Sequence, residues 1–292
     1  MYVVIGATGH TGRVVAEKLL GAGKPVRVIG RDAATLQPLV RAGALPIVGA
    51  LDDPQTLAKA FDGAKAVYTM IPPDYTTDDP QGHQRRIGTA IAGALRDMRV
   101  GYCVNLSSVG AQNRAGAGPV SGLGLQEDRL NAISGLNVMH LRPGSFMENL
   151  YGMLPMIKQG FIASPVQANL AMPWIATADV GQAAADELIG LGFDGQTFRE
   201  LHGPRDLSWA EAVGILGKAI GNPALKYVEA PYEEAAKGMI QAGLRPAMAA
   251  EFVEMYRAMN ERRMKPLEPR TPRSTTPTTL ETFAKGVAAA LA

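Results

Sequence analysis

The 292-residue chain holds one cysteine, Cys103, so an internal disulfide is excluded and a reducing compartment fits. Charge of one sign is also scarce in excess. The 29 Lys and Arg against 27 Asp and Glu leave +2, which gives no reason to expect nucleic acid or a membrane surface as a partner. No apolar run approaches the length of a membrane span. The first strand starts at residue 2, which leaves no room for a signal peptide, so a soluble cytoplasmic protein is expected. The four histidines show no metal-ligand spacing, no G-x-S-x-G elbow occurs and no acid pair stands out. Metal-assisted and serine-hydrolase chemistry therefore have no carriers.

What is present begins at once. Tyr2-Val-Val-Ile5 reads as a strand and runs into Gly6-Ala-Thr-Gly9-His-Thr-Gly12, after which Val15/Leu19 and Ala16/Leu20 repeat at helical spacing. Strand, glycine loop and helix form the setting in which a dinucleotide pyrophosphate is bound. Gly6 allows the tight turn, Gly9 lets the backbone approach the phosphates, and Gly12 lets the helix pack on the strand. The spacing G-x-x-G-x-x-G is one residue longer than the usual form. A P-loop does not fit, because Arg13 follows Gly12.

Strand and helix patterns then alternate at about 25-residue intervals, with further strands at 25–29, 45–48, 66–71, 102–106 and 136–141. That order implies an α/β fold, a doubly wound parallel sheet of the Rossmann type, with ligands beyond the carboxyl ends of its strands. We expect a dinucleotide-binding domain over 1–155 and a small, mostly helical C-terminal cap over 156–292, some of whose segments return to the sheet. The glycine-rich stretch 110–124 reads as an irregular loop before a short helix at 126–133. Ser208 to Glu211 is a capping box, and 266–277, rich in Pro, Thr and Arg, reads as a solvated linker. Gly30 ends the second strand and Arg31 follows, placed to pair with a ribose 2′-phosphate; this favours NADP over NAD, although Asp32 lies at the position of a ribose-binding acid. His140 and Cys103 read as core residues, and the methionines at 248, 255 and 259 as core packing or an adaptable ligand lining.

With GATGHTG, IGRD, NLSSVGA and LRPGSFMENL on view, the chain resembles the NmrA-like members of the atypical short-chain dehydrogenases/reductases over nearly its full length. The resemblance implies that Gly6, Thr8, Gly9, His10, Thr11 and Gly12 hold a pyrophosphate and Arg31 the 2′-phosphate of NADPH, preferred over NADH. It also implies that Ile71 and Pro72 lie along the cofactor, with Ser107 and Pro143 to Phe146 near the nicotinamide. Ala50 departs from the family pattern, in which an acid often contacts adenine. The Tyr-x-x-x-Lys pair of typical short-chain dehydrogenases is missing, and no lysine occurs between Lys65 and Lys158. Ser107, Tyr151 and Asn149 are the remaining candidate catalytic groups. Two readings follow. One is an NADPH-dependent reductase of electron-poor small molecules (quinone, azo compound or activated enone), which need little acid assistance. The other is a non-catalytic NADP(H) sensor acting through a protein partner.

Overall fold

The computed structural model describes residues 1–291. Eleven elements alternate from the start of the chain: β1 (Tyr2–Val4), α1 (His10–Gly21), β2 (Val26–Gly30), α2 (Ala33–Arg41), β3 (Leu45–Val48), α3 (Pro54–Phe61), β4 (Ala66–Thr69), α4 (Pro80–Asp97), β5 (Tyr102–Leu106), α5 (Pro119–Asn131) and β6 (Asn137–Pro143). After them come β7 (Ser145–Phe146), a 3-10 turn (Met147–Met153), α6 (Leu154–Lys158), β8 (Phe161–Ser164), β9 (Met172–Ile175), α7 (Thr177–Gly190) and β10 (Gln196–Leu201). The chain closes with β11 (Asp206–Leu207), α8 (Trp209–Ala219), β12 (Lys226–Glu229), α9 (Tyr232–Gln241), α10 (Pro246–Asn260) and α11 (Leu280–Leu291).

Seven parallel strands form one sheet in the order β10-β6-β5-β4-β1-β2-β3. Strand period two divides its side chains between two apolar layers. Tyr2, Val4, Val28, Tyr68 and Val104 pack under α1, α2 and α7, while Val3, Ile5, Val67, Cys103 and Val138 pack under α3, α4 and α5. The order reverses between β1 and β4, which places the crevice of a doubly wound sheet above their carboxyl ends. α7 and β10 belong to this body although they lie after residue 156. Gly181 is a glycine because a Cβ there would stand 2.6 Å from Val14 and 2.8 Å from the Thr11 carbonyl.

The remaining C-terminal elements enclose a separate core around Trp174, Trp209, Leu216, Leu280 and Val287. They are not only helical: β11-β9-β7 and β12-β8 make two further small sheets. The capping box of α8 is present, with Ser208 and Glu211 each bonding the other's backbone N–H. The final helix is capped by Thr279, whose Oγ1 accepts the Thr282 N–H, while Thr278 bonds Asp179.

Two expectations from the sequence change. The helix expected at 126–133 begins seven residues earlier, at Pro119, because proline suits a first helical turn and Gly122 and Gly124 sit where α4 and the Ala111 carbonyl come too close for a Cβ. The segment 266–277 is not a solvated linker. Buried Glu200 accepts the N–H groups of Leu267 and Glu268, His202 bridges Thr275, and Arg270 pairs with Asp206.

Candidate active site

The turn after β1 has the geometry its glycines imply. Gly6 adopts φ +67°, a left-handed conformation natural to glycine, and its carbonyl accepts the Gly9 N–H at 2.9 Å. A Cβ at Gly12 would lie 2.3 Å from the Gly6 carbonyl oxygen, so only glycine lets α1 sit this close to the turn. Gly9 is the N-cap of α1 and supplies no capping side chain. The N–H groups of the first turn are thus left without an intrahelical or side-chain acceptor, the condition for anion binding. Thr8, Gly9 and His10 are exposed on this turn. Thr11 is different: its side chain is buried and accepts a hydrogen bond from the Tyr68 hydroxyl at 2.9 Å, which ties the turn to β4.

Along the same rim, Arg31 is exposed and makes no ion pair among the described residues. Asp32, ambiguous in the sequence, is the N-cap of α2 and accepts the Ala34 N–H at 3.0 Å. The Met70 sulfur lies 3.0 Å from where a Gly6 Cβ would be, so the turn and the end of β4 meet. Ile71 is buried and Pro72 half-buried beyond it. The Pro72 carbonyl is 2.9 Å from His83 Nε2, an interaction between loop and α4 that no sequence signal announces.

At the end of β5 the backbone zips onto β6: the Ser107 N–H donates to Leu141 and the Val109 N–H to Pro143. Ser107 and Pro143 are therefore neighbours. The Ser107 hydroxyl donates to Glu127 Oε1 at 2.6 Å. Glu127, on α5, is 1% exposed and takes a two-pronged bond from Arg142, Nε to Oε1 at 2.9 Å and Nη2 to Oε2 at 2.5 Å. Arg142 in turn lies 4.2 Å above the Phe198 ring. Burial pushes the Glu127 carboxyl up, but the Arg142, His140 and Ser107 interactions outweigh it and hold the group below the ordinary carboxylate range. Ser108 spends its proton on the Val109 carbonyl. Neither serine hydroxyl has a proton to spare.

The other candidate groups stand apart. Tyr151 and Asn149 are exposed on the 3-10 turn, Tyr151 packing edge-on against Phe283 of α11. Phe146 is half-buried on β7, paired with Ile175. His140 is a core residue, as expected. Nδ1 accepts from Asn105, Nε2 donates to Asn131, and burial lowers the ring to about 4. Burial likewise raises the Cys103 thiol to about 12. Met248 is buried, Met255 packs against Ala111, Ala117 and Ala258, and Met259 joins the C-terminal core. Among the described residues no group of three His, Cys, Asp or Glu could hold a metal, and no helix is long and apolar enough to cross a membrane. Sequence reasoning missed the Glu127–Arg142 pair. Its partners sit on different elements, and periodicity along one element cannot report a contact across two.

The chain matches the NmrA-like family over residues 2–284. It belongs to that family. It is 28% identical over 259 residues to an NAD(P)H azoreductase of Xenophilus azovorans, covering 88% of this chain and 86% of that one. Its fold matches an NADPH-dependent quinone oxidoreductase of Escherichia coli complexed with NADPH, with TM-score 0.82, 20% identity and coverage of 98% and 99%. It also matches a Citrobacter triphenylmethane reductase complexed with NADP(H), with TM-score 0.81, 19% identity and coverage of 99% and 100%. The doubly wound NmrA-like fold is thus established at the level of family and topology.

Proposed function

We propose that this NmrA-like chain binds NADP(H) along the rim and reduces an electron-poor small molecule, with a quinone, azo compound or activated enone as acceptor class. The observation that carries the reading is the Gly6–Gly12 cradle, in which a Cβ at Gly12 would collide with the Gly6 carbonyl and the first N–H groups of α1 are left free. Residues 6–12 would hold the pyrophosphate and Arg31 the 2′-phosphate. NADPH is preferred over NADH because exposed Arg31 follows the end of β2 with no ion-pair partner among the described residues, while one oxygen of Asp32 is engaged in capping α2. Ile71, Pro72, Ser107, Pro143 and Phe146 would flank the nicotinamide, which supplies hydride when bound. The division of labour runs near residue 155, with the cofactor on 1–155 and the acceptor enclosed by 156–292, and the reducing cytoplasm is the compartment.

The polar groups around Ser107 favour this acceptor class. Ser107 Oγ–H is given to Glu127, so its oxygen can accept a bond but has no proton to hand on. Tyr151 and Asn149, exposed on the 3-10 turn, would serve in orienting the acceptor. An acceptor that stabilises added electron density on its own needs no protein acid, whereas a simple ketone does. The name of the 28%-identical azoreductase agrees with this class. The same lack of a free acid supports the second reading, a non-catalytic NADP(H) sensor that acts on a protein partner.

The deciding experiment follows NADPH oxidation with a panel of quinones, azo dyes, activated enones and simple ketones, with NADH in parallel. Turnover on the electron-poor acceptors, faster with NADPH, is expected. Tight NADPH binding with no turnover on any acceptor transfers the assignment to the sensor.

A further inference from the structure

A recess of about 240 Å³ opens between α4, α5 and the 114–116 loop. Its walls carry Arg85 from α4, Arg114 from the preceding loop, Ser121 and Arg129 from α5, and Glu254 from α10. Glu127 and Arg129 leave α5 on different faces. Glu127 points from one face of the helix to Ser107, and Arg129, two residues on, lies about 200° around the helix.

The charges in the recess are not balanced. Arg114 is neutralised by Asp128, which accepts from it at 2.6 and 2.8 Å. Among the described residues Arg85 has no carboxylate within ion-pair distance, and Arg129 reaches only the neutral Gln126 amide oxygen, at 3.4 Å. The one acid in the walls, Glu254, takes the N–H of Gly118, eleven residues before Arg129 and roughly 16 Å away along α5. The helices that carry the two cations approach closely at glycines. Gly88 shares a face of α4 with Arg85, and a Cβ there would stand 2.2 Å from the Gln126 amide oxygen and 3.3 Å from Arg129 Nη1. Burial and the charge of Arg85 both hold the Arg129 guanidinium below its ordinary value.

We propose that this recess binds a small dianion of the phosphate-ester type, with Arg85 and Arg129 as its clamp. Two guanidinium forks match the oxygens of one phosphate group, and two positive charges match its two negative ones. Ser121, whose oxygen accepts the Ala117 N–H at 3.0 Å, keeps its own proton as a further donor. The recess is larger than a bare phosphate requires, so the ligand carries an organic part, against which exposed Leu125 supplies an apolar wall. The site is separate from Arg31 and does not depend on the rim's binding NADP(H).

The test titrates the full chain with inorganic phosphate in a calorimeter, at ionic strength held constant with chloride. Saturable heat is expected with a component that Arg85→Gln and Arg129→Gln each weaken about tenfold or more and that Arg31→Gln leaves unchanged. Arg85 is exposed, so its variant folds even if the α5 substitution disturbs packing. Thermal unfolding adds a sign. Added phosphate should raise the melting temperature of the parent and of Arg31→Gln by more than it raises that of Arg85→Gln or Arg129→Gln. Absence of saturable heat, equal affinity in the Arg85 variant, or loss of binding in Arg31→Gln alone would each overturn the site.

Discussion

Between Gly6 and Gly12 the contacts that shape the turn span three to six residues, whereas the residues that fix Ser107, from Glu127 to Arg142, come from 20 to 35 residues away on other elements. The first end of the rim is made of backbone and carries no charge. The second is made of buried side chains, with a carboxylate and a guanidinium at its centre. A backbone turn can be rebuilt only by changing glycines, while a side-chain network fails when any one member is lost. The two ends should therefore respond to different insults: the turn to added bulk, the network to lost charge and to pH.

The sharpest way to break the contrast is Glu127→Ala. It leaves Arg142 buried without its carboxylate, and a loss of about 3–5 kcal/mol in urea unfolding is expected. The double variant Glu127→Leu/Arg142→Met should recover much of that loss, and failure to do so would mean that the pair is not the source of the effect. Next in size is pH. The His140 ring is lowered to about 4, so below its ordinary value near 6.5 the unfolded chain binds a proton that the native ring refuses. Stability should fall by about 2.5 kcal/mol between pH 7 and pH 4.5. Glu127 adds a loss in the same direction as pH falls through the carboxylate range, because its native carboxyl is held low. In His140→Gln the loss between pH 7 and pH 5 should largely vanish; an unchanged pH dependence would remove His140 from the account.

A smaller effect tests the C-terminal tie. Glu200→Ala strips the acceptor from the Leu267 and Glu268 N–H groups, which should cost about 1–3 kcal/mol. It should also speed protease cleavage within 263–277; a cleavage rate equal to the parent's would show that the segment is held by other contacts. The least effect on folding comes from Arg31→Ala, within about 0.5 kcal/mol of the parent. Its consequence should be confined to the cofactor, with NADPH weakened about tenfold or more and NADH unaffected. Equal weakening of both would separate Arg31 from any 2′-phosphate.

The same contrast explains what could be read from the residues alone. The strands from β1 to β6, the turn at Gly6, and the caps at Asp53 and Ser208 are local, and period, proline and capping residues announce them. The start of α5 was hidden because its glycines, poor helix formers, are there for close packing against α4 and the 110–116 loop. The docking of 266–277 was hidden because Glu200 looks like any strand-borne acid until its two N–H donors arrive from 67 and 68 residues on. Among the site residues, Gly6, Gly9 and Gly12 declared themselves by pattern. Ser107 was found, but its engagement by Glu127 was not. That engagement changes Ser107 from a candidate proton donor into an acceptor.

One contact also fixes a schedule. Arg263 donates to the Gly116 carbonyl and Asn113 donates to the Arg263 carbonyl, so the loop that follows Ser107 is covered by chain synthesised 147 residues after Gly116. At ordinary translation rates that interval lasts roughly 7–30 s. During that interval the Gly6 turn and the Tyr68 that ties it are already made, while the Ser107 end waits uncovered on the ribosome. The nascent protein would thus gain its glycine turn well before it gains a closed rim, and any ligand that binds the turn early would stabilise the half that is finished first.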